Sequence, residues 1–189
     1  HSVKPSPLYR GGRRAGSERL SKFIREILPG YAETRNKPEI DGSSRLSAYL
    51  HFGFISPLEI ALAVSLSDAP KQSREAYLEE LIVRRDSLRA LPPWAQLTMR
   101  EHLADAREFG YSLEELESAA TGDELWNAAQ REMLHTGEMH NYVRMLWGKN
   151  VIAWSQTYEE AFERLVHLNN KYCLDGRDPN SYAGILWCF

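Results

Sequence analysis

Apolar residues recur along most of this chain at the three- and four-residue spacing that places them on one side of an α-helix. In residues 17–28, for example, the apolar positions are Leu20, Phe23, Ile24, Ile27 and Leu28. The predicted helices span 17–28, 57–65, 75–85, 93–109, 113–120, 124–135, 138–154 and 158–173. No segment has the convincing alternation of a β-strand. Helices joined by short loops predict an all-α domain at 17–189, preceded by a loose leader at 1–16.

Four of these helices have a Ser or Thr near their start, followed three residues later by Glu, which is the pattern of a capping box. The pairs are Ser56 with Glu59, Ser112 with Glu115, Thr121 with Glu124 and Thr157 with Glu160. Trp94 is one of the apolar residues of the predicted helix 93–109, and we expect it in the core.

Composition narrows the classes of protein without selecting one. The 189 residues are 43% hydrophobic and 26% charged, which suits one globular domain with a sizeable core. No apolar run approaches the roughly 20 residues of a membrane span. The net charge of −3 means that a DNA site would need a local basic patch. The two cysteines favour a reducing, cytoplasmic compartment, and no Cys or His spacing indicates a metal site.

Four of the five tryptophans lie between residues 125 and 189, namely Trp126, Trp147, Trp154 and Trp187. Trp147 and Trp154 are seven residues apart, which on a helix is about 10 Å along the axis and nearly the same side. Indoles arranged in this way are usually part of a core. They are also readily oxidised, so a spaced series can carry an electron. Spacing alone leaves both interpretations open.

Gly42, Ser43 and Ser44 are followed by a short helical pattern. At a helix start they would offer backbone N–H groups, the positive end of the helix dipole and two hydroxyls, which suit a pyrophosphate. The alternative is ordinary N-capping by Ser43.

Three long segments, 126–133, 137–154 and 168–187, resemble the flavin-binding helical domain of the photolyase and cryptochrome family. The resemblance is closest to class II cyclobutane pyrimidine dimer photolyases. Residues 41–47, Asp-Gly-Ser-Ser-Arg-Leu-Ser, and 52–57, Phe-Gly-Phe-Ile-Ser-Pro, match a second pattern of this family. The resemblance implies an all-α FAD-binding domain. It also implies a light-driven reaction in which reduced FAD gives an electron to a pyrimidine dimer that is flipped out of UV-damaged DNA.

The same resemblance implies which residues hold FAD. They are Tyr31, Ser43, Ser44, Arg45, Leu46, Ser47, Asn141, Arg144, Asp175, Gly176 and Arg177. Arg144 and Asp175 match a salt bridge beside the flavin ring. Arg45 and Asn141 depart from the class II pattern, which commonly has Asn and Gly at these two positions.

Catalytic roles are implied for Glu80 and Trp187 on the substrate side and for Asn169 near the flavin N5. Glu80 would hydrogen-bond the dimer, and Trp187 would pack against it. The alternatives are an ion pair of Glu80 with Arg84 on one helix and a helix-surface position for Asn169. The resemblance further implies an electron-transfer chain with Trp147 proximal, Trp126 in the middle and Trp154 distal.

The match to the family breaks after Arg85, where a short stretch of the family sequence is absent, and family sequences continue beyond the position of Phe189. We therefore expect a monomeric part of the C-terminal domain, without the N-terminal antenna domain. Two other functions stay open: a cryptochrome-like flavin photoreceptor without repair activity, and a truncated core that binds no flavin. Glu80 and Trp187 favour repair over light sensing.

Overall fold

The computed structural model describes residues 3–83, 91–107 and 109–189, and these contain helices but no β-strand. The prediction of an all-α fold is therefore confirmed. The chain divides into two compact units. The N-terminal unit is Leu8–Ser87, and the C-terminal unit combines His1–Pro7 with Leu88–Phe189. Within the described ranges, no helix has the length and apolar character needed to cross a membrane.

The described residues of the N-terminal unit form five α-helices and three short segments of π or 3-10 helix. The α-helices are α1 (Arg13–Lys22), α2 (Tyr31–Thr34), α3 (Ser47–His51), α4 (Pro57–Ser65) and α5 (Lys71–Leu78). Between α1 and α2 the chain forms a π-helical segment, Phe23–Ile27, and a 3-10 turn, Leu28–Gly30. After α5 it continues as a second π-helical segment, Glu79–Val83.

An aromatic cluster lies in the core of the N-terminal unit. The ring of Phe23 contacts those of Tyr31 and Tyr77, with centroids 5.8 and 4.5 Å away, and the two tyrosines lie 5.3 Å from each other. The apolar side of α4, which includes Ile60 and Val64, belongs to the same core. Burial raises the pKa of the Tyr77 phenol, so that this hydroxyl stays protonated in the core.

In the C-terminal unit, the part of the chain that the structure describes forms six α-helices. They are α6 (Pro93–Glu101), α7 (Leu113–Glu117), α8 (Glu124–Thr136), α9 (Asn141–Trp154), α10 (Tyr158–Tyr172) and α11 (Pro179–Leu186). Helix α9 contacts α8, α10 and α11, and its buried residues Trp147 and Val151 lie in the core beside Leu165 and Leu168 of α10. The hydroxyl of Ser6 donates to the carbonyl of Thr136 at the end of α8, which ties the start of the chain to this unit.

Helix positions agree with the predictions better than helix ends do. Helix α1 begins at Arg13, inside the predicted leader. Helix α6 ends at Glu101 rather than near 109, because a turn follows in which the His102 ring contacts the Asp105 carboxylate at 2.8 Å. Helix α7 ends at Glu117 because Ala119 adopts a left-handed conformation with a φ of 55°. The predicted helix 75–85 runs into residues outside the described ranges.

Two predictions about individual positions were wrong. Trp94 is 71% exposed, because it is Ala95 that α6 buries. The N-cap of α8 is Asp123 rather than Thr121, since the Asp123 carboxylate accepts from the backbone N–H of Trp126 at 2.9 Å. Helix α11 was not predicted, although Asp178 followed by Pro179 is the N-cap and first-turn pattern that begins it.

The other three capping pairs differ in how completely they form. Ser112 and Glu115 make both bonds of a capping box. Ser56 and Thr157 each cap their helix through the predicted N–H, of Glu59 and Glu160 respectively. The Glu59 carboxylate, however, pairs with Arg13.

Asp123 stabilises the C-terminal unit in two ways, and we expect Asp123→Ala to lower the free energy of unfolding by about 1–2 kcal/mol. Its Oδ1 caps α8, and its Oδ2 accepts from Asn150 of α9 at 3.0 Å. Urea denaturation followed by circular dichroism measures the change. Asp68→Ala, at an exposed aspartate between α4 and α5, is the matched control and should change little. Equal stability of the two variants would contradict the assigned cap.

Candidate functional site

Three tryptophan rings lie in contact in the core of the C-terminal unit. Trp126 of α8 stacks on Trp147 of α9, with centroids 6.1 Å apart and planes 7° from parallel. Trp126 also meets Trp154 edge to face at 5.4 Å and 68°. Trp126 therefore lies between the two tryptophans that share α9, which gives the order Trp147, Trp126, Trp154.

Burial changes along this series. Trp147 is 3% and Trp126 is 2% exposed, whereas Trp154 is half-buried. The outer ring, Trp154, also contacts Tyr111 edge to face at 4.9 Å. The rings thus form a continuous aromatic path from the interior of the unit toward its surface.

Hydrogen bonds fix both inner indoles. The Trp126 Nε1–H donates to the main-chain carbonyl of Trp147 at 3.0 Å. The Trp147 Nε1–H donates to the Oε1 atom of Gln130 on α8, also at 3.0 Å. Each buried indole thus has the acceptor that its only polar group requires, and neither ring can rotate without losing it.

Arg144 of α9 and Asp175 form a largely buried ion pair. Nη2 of Arg144 lies 3.5 Å from Oδ1 of Asp175, and the two side chains are 12% and 18% exposed. Burial disfavours the guanidinium charge, but the Asp175 carboxylate outweighs that effect, and the pKa of Arg144 is raised. The Nε atom of Arg144 is buried and has no hydrogen-bond partner in the part of the chain that the structure describes. A buried donor of this kind suits an anionic or polar ligand.

The turn after α10 is closely packed around Gly176. A Cβ atom at this position would lie 2.7 Å from the carbonyl oxygen of Asn169 and 2.9 Å from the Cα of Asn170. Arg177 follows with a left-handed φ of 71°, and its N–H donates to the Asn170 side chain at 2.9 Å. Asp178 then caps α11. A residue larger than glycine would therefore move backbone here, not only a side chain.

Asn169 is buried beside this turn, and its amide orientation is fixed. Its Nδ2 donates to the Ser181 hydroxyl at 2.5 Å and approaches the Asn170 Oδ1 at 3.4 Å. The helix-surface alternative for Asn169 is therefore wrong, since the residue is 2% exposed. Cys173, one turn further along the chain, is buried against Met133, and burial raises the pKa of its thiol to about 11.

The structure brings together four of the residues expected around the flavin ring, namely Arg144, Asn169, Asp175 and Gly176. Asn141 is the exposed first residue of α9, and Trp187, directly after α11, is 62% exposed.

In the N-terminal unit the segment 43–47 is organised by Arg19 of α1. The Arg19 guanidinium donates to the carbonyls of Ser43 at 3.0 Å and Ser44 at 2.7 Å. Ser43 does not cap α3, because the N-cap of that helix is Leu46, and no side chain caps it. The N-capping alternative for Ser43 was therefore wrong.

The remaining predicted FAD residues of this unit differ in exposure. Tyr31 and Leu46 are buried in the core, and Ser47 begins α3 with its side chain exposed. Arg45 has a left-handed φ of 52° and pairs with Asp41 at 3.1 Å.

Glu80 pairs with a residue that is distant in sequence. Its Oε1 lies 2.7 Å from Nη1 of Arg35, and the two side chains are a quarter exposed. The alternative partner, Arg84, lies outside the described residues. The ion pair fixes one carboxylate oxygen of Glu80 near the start of the π-helical segment Glu79–Val83.

Sequence reasoning missed the partners that orient the expected residues. Gln130 follows Trp126 by four positions on α8, so helical spacing alone could have placed the two on one side. Ser181 lies in the first turn of α11, which was not predicted. Arg35 is 45 positions from Glu80, and no local pattern connects them. Among the described residues, no group of three or more His, Cys, Asp or Glu side chains could hold a metal ion.

Comparison with known proteins finds several relatives that carry the same name. The chain is 45% identical over 201 aligned positions to a deoxyribodipyrimidine photo-lyase of Methanothermobacter thermautotrophicus, an alignment that covers 99% of this chain and 44% of that protein. It is 42% identical to the Arabidopsis thaliana protein of the same name, covering 87% of this chain and 36% of the relative. With the Potorous tridactylus protein of that name the identity is 39%, covering 98% and 38%. No protein-family model matches the chain.

Solved structures share the fold at lower sequence identity. A class III photolyase from Agrobacterium tumefaciens matches with a TM-score of 0.73 and 22% identity, covering 96% of this chain and 38% of that protein. An archaeal photolyase from Sulfolobus tokodaii, solved with two FAD molecules, matches with a TM-score of 0.70 and 22% identity, covering 98% and 41%.

The fold is thus that of the helical FAD-binding domain of photolyases. The named relatives then support a more specific assignment, and they place this chain with the photolyase family. The chain spans less than half the length of these curated relatives.

The packing around Gly176 predicts a large effect of one methyl group. Gly176→Ala should lower the free energy of unfolding by about 1–3 kcal/mol, because the new Cβ meets backbone atoms that cannot move aside cheaply. Gly184→Ala is the matched control. A Cβ at Gly184 meets nothing within 4 Å, and alanine within α11 should raise stability by up to about 1 kcal/mol. Thermal and urea unfolding measure both, and a neutral Gly176→Ala would contradict the geometry of the turn.

Proposed function

We propose that this chain is part of a class II photolyase that uses light and reduced FAD to split cyclobutane pyrimidine dimers in DNA. One observation carries the proposal. The three tryptophans that the resemblance assigns to electron transfer are in ring contact and in the expected order, within a chain 45% identical to a deoxyribodipyrimidine photo-lyase. The Sulfolobus tokodaii structure, which contains FAD, supports flavin as the cofactor.

The residues of the C-terminal unit fit a flavin. Arg144 offers a buried Nε–H that has no partner among the described residues, and Asp175 holds the guanidinium charge in place. The absence of a side chain at Gly176 allows a tight turn next to Asn169. Since the Asn169 Nδ2 is bound to Ser181, its Oδ1 is the atom that can accept a hydrogen bond from the flavin. When bound, the flavin would supply one-electron chemistry that side chains lack.

The tryptophans would pass electrons inward one after another, so that the oxidised site moves outward along the series. If Trp147 loses an electron, Trp126 is in stacked contact with it and can replace that electron. Trp154 is in contact with Trp126 and can do the same in turn. The oxidised site thereby moves from the buried Trp147 to the half-buried Trp154. Its greater distance from the interior then slows the back-transfer of an electron to Trp154.

Two residues would serve the substrate. Trp187 presents an exposed ring that could stack on a flipped base, as base-flipping proteins do. Glu80, held by Arg35, would hydrogen-bond the dimer directly or through a bridging water. A cryptochrome-like photoreceptor would need neither residue, so we favour repair. The monomeric state, the cytoplasmic location and the extent of the flavin-binding domain stay predictions.

The flavin and the tryptophan series can be tested together by absorption spectroscopy of the chain with added FAD. Blue light and an external reductant should bleach the bound oxidised flavin. Trp147→Phe should slow that photoreduction by about tenfold or more, because phenylalanine is much harder to oxidise than tryptophan. Repair by chemically pre-reduced protein should be mostly retained.

The exposed Trp94 supplies the matched control, since Trp94→Phe should leave photoreduction unchanged. Equal loss of repair and photoreduction in Trp147→Phe would show that Trp147 has another role. A chain that does not bind FAD would restrict the proposed function to a longer form of the protein.

Substitution of Glu80 distinguishes DNA repair from light sensing as the function. Glu80→Gln should lower the yield of dimer splitting by about tenfold or more at unchanged flavin content, measured by loss of dimers from an irradiated oligonucleotide. Glu79→Gln, at the exposed neighbouring carboxylate, is the control and should repair normally. Loss of flavin from Glu80→Gln would instead indicate a structural role for the ion pair with Arg35.

A further inference from the structure

Gln130 is a buried amide that contacts the innermost tryptophan of the series. It lies on α8 and is 0% exposed. Its Oε1 accepts the hydrogen bond from Trp147 Nε1 at 3.0 Å. Its Nε2 is buried and finds no hydrogen-bond partner among residues 3–83, 91–107 and 109–189. The amide therefore ends the hydrogen-bond chain that starts at the Trp147 indole.

An indole that has lost an electron is a far stronger N–H acid than the neutral indole, so its hydrogen-bond acceptor decides whether the proton leaves. A carboxylate, an imidazole or water can take the proton, which leaves a neutral radical that is less readily reduced by its neighbour. An amide oxygen accepts a hydrogen bond but is far too weak a base to keep a proton. At Trp147 the acceptor is the Gln130 amide, and at Trp126 it is the main-chain amide carbonyl of Trp147.

We propose that Gln130 is a positioning residue that keeps the indole proton on Trp147 throughout electron transfer. This inference rests on the electron-transfer role proposed above for the tryptophans. In that role Trp147 would give one electron to a photoexcited oxidised flavin, the one-electron oxidant, and would become a radical cation with its N–H bond intact. Trp126 then donates one electron to the oxidised Trp147, and Trp154 donates one electron to the oxidised Trp126. Only at the half-buried Trp154 does an N–H bond break, and that proton goes to water.

The arrangement explains why a glutamine suits this position. Glutamate has nearly the same shape and would satisfy the same indole donor, and its carboxylate would also attract the cation. It would, however, capture the proton and hold the oxidised site on Trp147. The buried Nε2 of Gln130 also favours retention of the proton on Trp147. No described group accepts a hydrogen bond from this Nε2, so the structure describes no path beyond Gln130 along which a proton could leave.

The test uses the chain without flavin, so that it does not depend on the proposed function. In a Trp94→Phe/Trp154→Phe/Trp187→Phe background only Trp126 and Trp147 remain. A short ultraviolet flash then ionises these two indoles, and transient absorption distinguishes the radical cation from the neutral radical. With Gln130 the cation should persist. With Gln130→Glu it should convert to the neutral radical at least about tenfold faster, and only at a pH where the introduced carboxyl is ionised.

Gln72→Glu, at an exposed glutamine of α5, is the charge-matched control and should leave the cation lifetime unchanged. Gln130→Met covers the case in which the glutamate variant does not fold. In that variant the Trp147 indole proton should shift in the ¹⁵N–¹H spectrum to the position of an indole without an acceptor.

Two results would overturn the proposal. One is equally rapid formation of the neutral radical with glutamine at position 130. The other is an indole spectrum of Trp147 that does not respond to Gln130→Met. A different result would count against the proposed function alone. In that case the cation persists in the flavin-free chain, yet FAD-loaded chain forms no tryptophan radical under blue light.

Discussion

The stacked contact between Trp126 of α8 and Trp147 of α9 is the interaction on which the C-terminal unit depends. It places two large rings face to face in the centre of the core, where aromatic burial contributes more than any other side-chain type. It also sets the relation between the two helices, because the Trp126 indole donates to the backbone of α9 and the Trp147 indole donates to a side chain of α8. These reciprocal hydrogen bonds allow only one register of α8 on α9.

That register determines where the polar residues can lie. With α9 fixed, Arg144 is held inside the unit, and a buried guanidinium requires a carboxylate beside it. Asp175 provides this carboxylate from the turn after α10, which can approach only because Gly176 has no side chain. The same turn leads into α11, whose Ser181 orients Asn169. The charged and amide groups of the candidate site are therefore consequences of the aromatic packing, and a change in the packing would displace them together.

Helical periodicity predicted the fold class and most helices, because an amphipathic pattern repeats over many residues and tolerates local exceptions. It did not predict the helix ends, since these depend on single contacts such as the Asp123 cap and the left-handed Ala119. It also misplaced Trp94, because apolar character alone does not say which side of a short helix faces the core. The expected residues Arg144, Asn169, Asp175 and Gly176 came from the family resemblance. Gln130 and Ser181 lie inside the matching segments 126–133 and 168–187, but the resemblance gives them no role, and Arg35 lies outside every matching segment. Only the folded chain shows what these three residues contact.

The question that spacing left open, whether the tryptophans are core or an electron path, has no exclusive answer in this structure. Dense packing brings rings into van der Waals contact, and electron exchange is rapid between rings that are this close, so burial and stacking fit both roles. The acceptors of the indole protons are more informative. A core would be served by any acceptor, including a carboxylate or a bound water. A path for a positive charge is served best by acceptors that cannot take the proton, and both inner indoles of this chain have such acceptors.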